Sequence, residues 1–281
     1  MFAVLIYGEF RTFEINLKEN IRELFSELNK PLHFYILTED CQDYEIKKNK
    51  VIGIIEDSGY EVNGRYEVKY FENMKTCKDY DINSETEIYN DYYNIQYDKQ
   101  RDDFTPKLFY RRCLINKIMN NFEIKYEKVI FARLFDVIFK RIKNLDFFNN
   151  AHDNNNIYYS VDTFFISSQK NINIFFNIEL ISDIIRINNR ELFQRFYIEN
   201  DYNLGVFIPK IALETIYNSI LYNYFFNNCK NLRFDFTRQN LDSIWNTYLK
   251  DNTIRNDIID FIVPFIQNDY LFVLHCPKRK L

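Results

Sequence analysis

The chain opens with an unbroken apolar run over residues 2–7 that ends at Gly8. A run of that length with no polar alternation, stopped by a glycine, predicts a strand buried on both faces. Polar residues then return, with Ile15, Ile21, Leu24, Phe25 and Leu28 at helical spacing as far as Pro31. "LHFYILT" is a second apolar run and closes at Thr38-Glu39-Asp40. Strand, helix and strand in so short a span predict a βαβ unit, with parallel strands and a right-handed crossover.

Beyond Cys41 the pattern weakens. "KVIGIIEDSGYEV" reads as a short strand turning at Ser58-Gly59, and "EVKYFENM" as another. The acidic, tyrosine-rich "DYDINSETEIYNDYYNIQYDKQRDD" reads as loop with one weak helical stretch. "TPKLFYRRCLINKIMNNFEIKY" predicts a helix, with Thr105 to cap it and Pro106 suited to its first turn. "YEKVIFARLFDVIF" follows, with residues 129–132 as strand and 137–139 as its continuation or a new edge. "NIYYSVDTFFISSQ" holds two short apolar runs around Asp162. The pattern then turns helical through several segments, before a last strand-like run in "DYLFVLHCPKRKL".

Strands alternating with helices predict an α/β fold, with a mostly parallel sheet flanked by helices and a helical C-terminal half. The length suits a single domain over 1–281, with an α/β portion over 1–170 and a mainly helical portion over 171–281. Hydrophobic residues at 47% and charged residues at 27% mark a folded globular chain. The 28 Phe and 22 Tyr predict an aromatic core, with the alternative of a cleft that stacks sugars or bases. Scarce Gly and Pro beside abundant Asn, Ile, Lys, Tyr and Phe reflect A/T-rich codons, which suggests a low-GC bacterium or an A/T-rich large virus. A net charge of −4 without a long basic tract argues against nucleic acid as a partner. The five cysteines include no CxxC, which favours reduced thiols over a disulfide frame or a zinc site. No apolar run is long enough for a membrane span and no signal peptide is evident, so the expected location is cytoplasmic.

In open α/β sheets, ligands bind beyond the carboxyl ends of the strands. That rule singles out residues 8–12, 38–40 and 133–136. In the first, Gly8 allows close backbone approach, the following helix start favours anions, and Arg11 offers a forked donor for phosphate. Thr12 closes this first span and Thr38 opens the second. No GxGxxG and no P-loop pattern is present. Arg133 and Asp136 put two charges into an apolar stretch, where they need partners. A strand-end carboxylate suits a hard cation that carries substrate phosphates, with the arginine orienting it or touching the phosphates. The alternative is an internal ion pair that orders the turn. Asp162 is either a second carboxylate facing the cleft or a turn residue.

"AVLIYGEFRTF" resembles the "ISGQLRTF" opening of a GT-A-like glycosyltransferase family of bacteria and giant viruses. The similarity continues in order: the helix and "YEKVIFARLFDVIF" resemble "YDYVIRxRPDLxF", "IYYSVDTFFISSQKNINIFF" resembles "NDqFfiGskexmxxff", and "FYIENDYNLGVFI" resembles "PExxLxxyL". These segments cover about half of the chain.

The resemblance implies a GT-A-like, Rossmann-like fold and transfer of a sugar from a UDP- or GDP-sugar donor to a glycan or other hydroxyl acceptor. It implies Mn²⁺ or Mg²⁺ on the donor diphosphate, held by Asp136, with His275 as a late ligand. It places Gly8, Arg11, Thr12, Thr38 and Arg133 on the nucleotide-sugar, and Asp162 or Glu199 as the base that takes the acceptor proton. If Arg133 is matched, the family's Arg-Pro-Asp is one residue longer here, Arg133-Leu134-Phe135-Asp136; if Asp136 is matched instead, Leu134 stands where the arginine is expected. Alternatives are a non-catalytic sugar- or nucleotide-binding protein of the same fold, and a metal-dependent phosphotransferase or nuclease.

Overall fold

The computed structural model describes residues 1–28, 30–62, 64–94, 105–149, 157–160, 163–177, 229–231 and 271–275. Its elements are β1 (Phe2–Gly8), α1 (Phe13–Phe25), β2 (Leu32–Thr38), α2 (Tyr44–Glu61), β3 (Tyr66–Asn73), α3 (Ile82–Asn94), α4 (Thr105–Asn121), β4 (Lys128–Ala132), β5 (Val137–Arg141), a 3₁₀ turn (Asp146–Asn149), β6 (Ile157–Ser160), β7 (Phe164–Ser167), α5 (Gln169–Phe175), β8 (Cys229–Asn231) and β9 (Leu271–His275). The main sheet has the order β3-β2-β1-β4-β7-β6-β8. β1 runs parallel to both β2 and β4, and β2 parallel to β3, while β7 joins antiparallel to β4 and β6. This is the α/β class predicted, with a mostly parallel, Rossmann-like sheet flanked by helices.

The central strands are mostly apolar because both faces are covered. Phe2, Val4 and Ile6 of β1, with Phe34 and Ile36 of β2 and Ile130 of β4, pack on α1 and α2. Ala3, Leu5, Tyr7, Tyr35, Leu37, Val129 and Phe131 pack on the other face, against α3, α4 and α5. The alternation that shows no polar partner in sequence is thus a division of side chains between two cores.

Three segments differ from the sequence expectation. The first is 51–61, a helix rather than a strand. Its isoleucine- and valine-rich run looks β-like, yet the buried positions Val51, Ile55, Ser58 and Gly59 recur at helical spacing. Gly59 is required there: a Cβ would lie 2.8 Å from the Cβ of Tyr66 on β3. The second is the weak helical stretch in the tyrosine-rich segment, which is the full helix α3. The third is 137–139, where the choice between continuation and new edge resolves to a new edge. β5 leaves the main sheet and pairs antiparallel with β9 in a second, two-stranded sheet. β8 and β9, both beyond residue 170, pair with β6 and β5. The helices expected beyond residue 177 lie outside the described residues. No helix among the described residues is long and apolar enough to cross a membrane.

Candidate active site

The chain leaves β4 at Ala132 and re-enters β5 at Val137, so residues 133–136 form a loop at the carboxyl edge of the sheet. The buried face of α1 fixes this loop. Asn20 is fully buried. Its Nδ2 donates to the carbonyls of Leu134 (3.0 Å) and Val137 (2.6 Å), and its Oδ1 accepts from the Phe139 N–H at 2.9 Å. The Thr12 N–H and hydroxyl both donate to the Phe135 carbonyl, at 3.1 and 3.0 Å, and Asn16 supports the hydroxyl at 2.8 Å. On the other side Arg133 N–H donates to Thr163 O at 2.9 Å. Phe10 stacks on Phe135 with centroids 5.4 Å apart, tying the turn after β1 to the loop after β4.

With the backbone held, the charged side chains meet. Arg133 grips Asp136 with two donors, Nε to Oδ1 at 3.2 Å and Nη2 to Oδ2. Arg11 comes from the turn after β1; its Nη1 donates to the same Oδ2 at 3.4 Å and its Nε to Glu9 Oε2 at 3.0 Å. Asp136 is 6% exposed, so these contacts compensate a carboxylate that is nearly out of water.

Beside this cluster lies a second one. Tyr7 donates its hydroxyl to Glu39, and Arg111 reaches both of them, with Nη1 3.3 Å from the Tyr7 oxygen. Arg111 Nη2 donates to Glu85 Oε1 at 3.1 Å. Burial, and then the facing Glu39 carboxylate, push the Tyr7 phenol far above its ordinary range, so it stays protonated and donates.

The two clusters share one open cleft lined by Tyr7, Gly8, Glu9, Arg11, Glu39, Leu108, Arg112, Arg133 and Asp136. It sits between β1 and β4, where the chain order reverses from β3-β2-β1 to β4, the position at which such sheets bind ligands. At Gly8 a side chain would meet nothing within 4 Å, so the backbone faces open space there. The guanidinium of Arg112 lies over the Phe131 ring at 5.0 Å.

Of the predicted residues, Gly8, Arg11, Arg133 and Asp136 line the cleft together. Thr12 and Thr38 lie buried outside its lining, and Thr12 spends its hydroxyl on the loop. At the start of α1 the Thr12 N–H points at Phe135 O. His275 ends β9, and the strand register sets it opposite Val137, next in sequence to Asp136. Asp162 and Glu199 lie outside the described residues. Glu39 fell within a predicted span without a role, and Arg111 and Arg112 were missed. Their signal was two adjacent arginines in the otherwise apolar "LFYRRCLI". Among the described residues no group of three or more His, Cys, Asp or Glu is placed to hold a metal ion.

No family model and no curated protein matches the chain. Solved structures do. The apo form of mouse xyloside xylosyltransferase 1 is 10% identical with a TM-score of 0.46, over 96% of this chain and 97% of that one. The glycosyltransferase GlyE of Streptococcus pneumoniae is 15% identical with a TM-score of 0.36, over 99% of this chain and 54% of that one, so the chain spans about half of its length. An active-site mutant of LgtC is 9% identical with a TM-score of 0.40, over 98% of this chain and 86% of that one.

Proposed function

We propose that this chain transfers a sugar from a nucleoside diphosphate donor, UDP- or GDP-linked, to a hydroxyl acceptor such as a glycan. The observation that carries the reading is the convergence of the turn after β1, Glu39 after β2 and the loop after β4 on one arginine-rich cleft at the sheet's switch point. In the reaction the bond from the anomeric carbon to the diphosphate oxygen breaks, and a bond to the acceptor oxygen forms. The diphosphate leaves with the bonding electron pair, and the acceptor proton passes to a carboxylate. The cleft's guanidinium groups meet the leaving charge, which grows in the transition state. Asp162 or Glu199 is proposed for the acceptor proton.

A divalent cation, Mn²⁺ or Mg²⁺, is the group that the family resemblance implies at Asp136 and His275. It would act as a Lewis acid on the diphosphate. The described residues do not fit it: both Asp136 oxygens are held by Arg133, and Oδ2 also by Arg11.

The test is incubation of the protein with a panel of nucleotide-sugars, with and without Mn²⁺, while released nucleoside diphosphate is measured. Slow hydrolysis of one donor is expected. A panel in which none is bound or hydrolysed refutes the reading.

A further inference from the structure

Asp136 is the carboxylate at which the family resemblance puts an ion, yet it grips two arginines. We propose that the cleft holds the donor diphosphate by guanidinium groups alone, and that Asp136 is the residue that positions Arg11 and Arg133 for it. The identity of the ligand rests on the nucleotide-sugar reading above; the metal-free anion site does not.

The spacing explains the pairing. With two residues between them, Arg133 and Asp136 stand at opposite ends of one tight loop, and the arginine folds back onto the carboxylate with two donors. The loop cannot relax from this arrangement cheaply, because Asn20 holds the carbonyls of Leu134 and Val137 and Thr12 holds that of Phe135. A divalent ion on Asp136 would have to expel two cations and then remain beside them. A diphosphate needs no such exchange. Its charge is spread over several oxygens, which suit guanidinium donors approaching from more than one residue.

The donors are also fixed in advance. Asp136 draws Arg11 and Arg133 to one oxygen, and Glu9 holds Arg11 by its Nε. Neither Asp136 nor Glu9 engages the Nη2 of Arg11. Arg112, almost fully buried, reaches the same cleft from α4.

The experiment is calorimetric titration of the full chain with UDP and GDP, in EDTA and in Mn²⁺, and with inorganic pyrophosphate in EDTA. Affinity for the nucleoside diphosphates should agree in the two media within about twofold. Arg133→Gln should weaken binding about tenfold or more, the worth of a charge-assisted hydrogen bond, and Arg133→Lys should recover part of it. Asp136→Asn should weaken binding by the same factor in EDTA and in Mn²⁺, since it disturbs the arginines and not an ion. Circular dichroism establishes that each variant is folded, and Arg11→Gln replaces Arg133→Gln if the latter is not.

Binding that is absent in EDTA and restored by Mn²⁺, with Asp136→Asn removing only the restored part, overturns the inference. So does failure of all three probes to bind in EDTA. Pyrophosphate binding in EDTA without any bound or hydrolysed nucleotide-sugar leaves the anion site standing and removes the donor assignment.

Discussion

Phe139 and Asn20 are 119 positions apart in sequence and share a buried hydrogen bond, the Phe139 N–H donating to Asn20 Oδ1 at 2.9 Å. The same amide holds the Leu134 carbonyl in the loop that carries Asp136 and the Val137 carbonyl at the start of β5. Asn20→Leu keeps the volume and strands three backbone groups. It should destabilise the fold by about 3 kcal/mol or more, since each buried group left unpaired costs about 1–3 kcal/mol. A urea denaturation midpoint measures this. Phosphate binding should weaken in the same variant, because Arg133 loses its fixed backbone.

Arg111 joins Glu39 on β2's end to Glu85 on α3 in a part-buried network. Arg111→Met removes one charge and leaves two carboxylates facing the same space. The expected loss is about 3 kcal/mol, the scale for breaking one side of a buried pair. Adding Glu85→Gln should return part of it, and the interaction appears as non-additivity in a double-mutant cycle.

α2 contains two glycines with opposite surroundings. At Gly59 a Cβ would press on the Cβ, Cγ and N of Tyr66, while at Gly53 it would meet nothing within 4 Å. Gly53→Ala should therefore stabilise by up to about 1 kcal/mol through helix propensity. Gly59→Ala should destabilise by about 1–2 kcal/mol, because overpacking outweighs the same propensity gain. Thermal unfolding of the two variants should move in opposite directions.

His33 sits at the other edge of the sheet, with Nδ1 2.9 Å from the Tyr126 hydroxyl. Burial first, then Lys69 and the N-terminus, hold its pKa below the ordinary 6.5, with Glu67 pulling the other way. The folded state thus resists a proton that the unfolded chain accepts. Stability from this group is complete above about pH 6.5 and is lost as pH falls from there toward the lower folded value. Denaturant midpoints taken on either side of that window should show a fall on acidification, and the fall should be smaller in His33→Gln. An equal fall in both proteins would rule His33 out as its source.

How much of this was legible in the sequence differs by element. β1, β2, β4 and α1 announced themselves because burial on two faces, or on one helical stripe, writes a long pattern, and α4 did so through the Thr105-Pro106 start signal. α2 did not, because Ile52 and Ile54 fill the gaps between the buried Val51 and Ile55 and so hide the helical period. The strand-end rule found Gly8, Arg11, Arg133 and Asp136, since all four lie where the sheet topology places a ligand. It also took in Thr12 and Thr38, which sit at the same strand ends but point into packing. Arg111 and Arg112 escaped because they approach the cleft from the middle of a helix, a direction that strand ends do not reveal. The Arg133–Asp136 pair was one of the two readings the sequence offered; the second arginine was hidden, because it depends on Arg11 arriving from the turn after β1.

The pairing of β5 with β9 has a consequence for how the protein is made. The loop bearing Asp136 is anchored behind by β5, and the partner strand of β5 begins at Leu271. A ribosome delivers β1, α1 and β4 early and β9 only much later. Through that interval β5 presents an open edge, which invites strangers. Chaperone capture, or a pause in synthesis, would act on this interval, with the nascent chain carrying a nearly assembled cleft whose backing strand still lacks its mate.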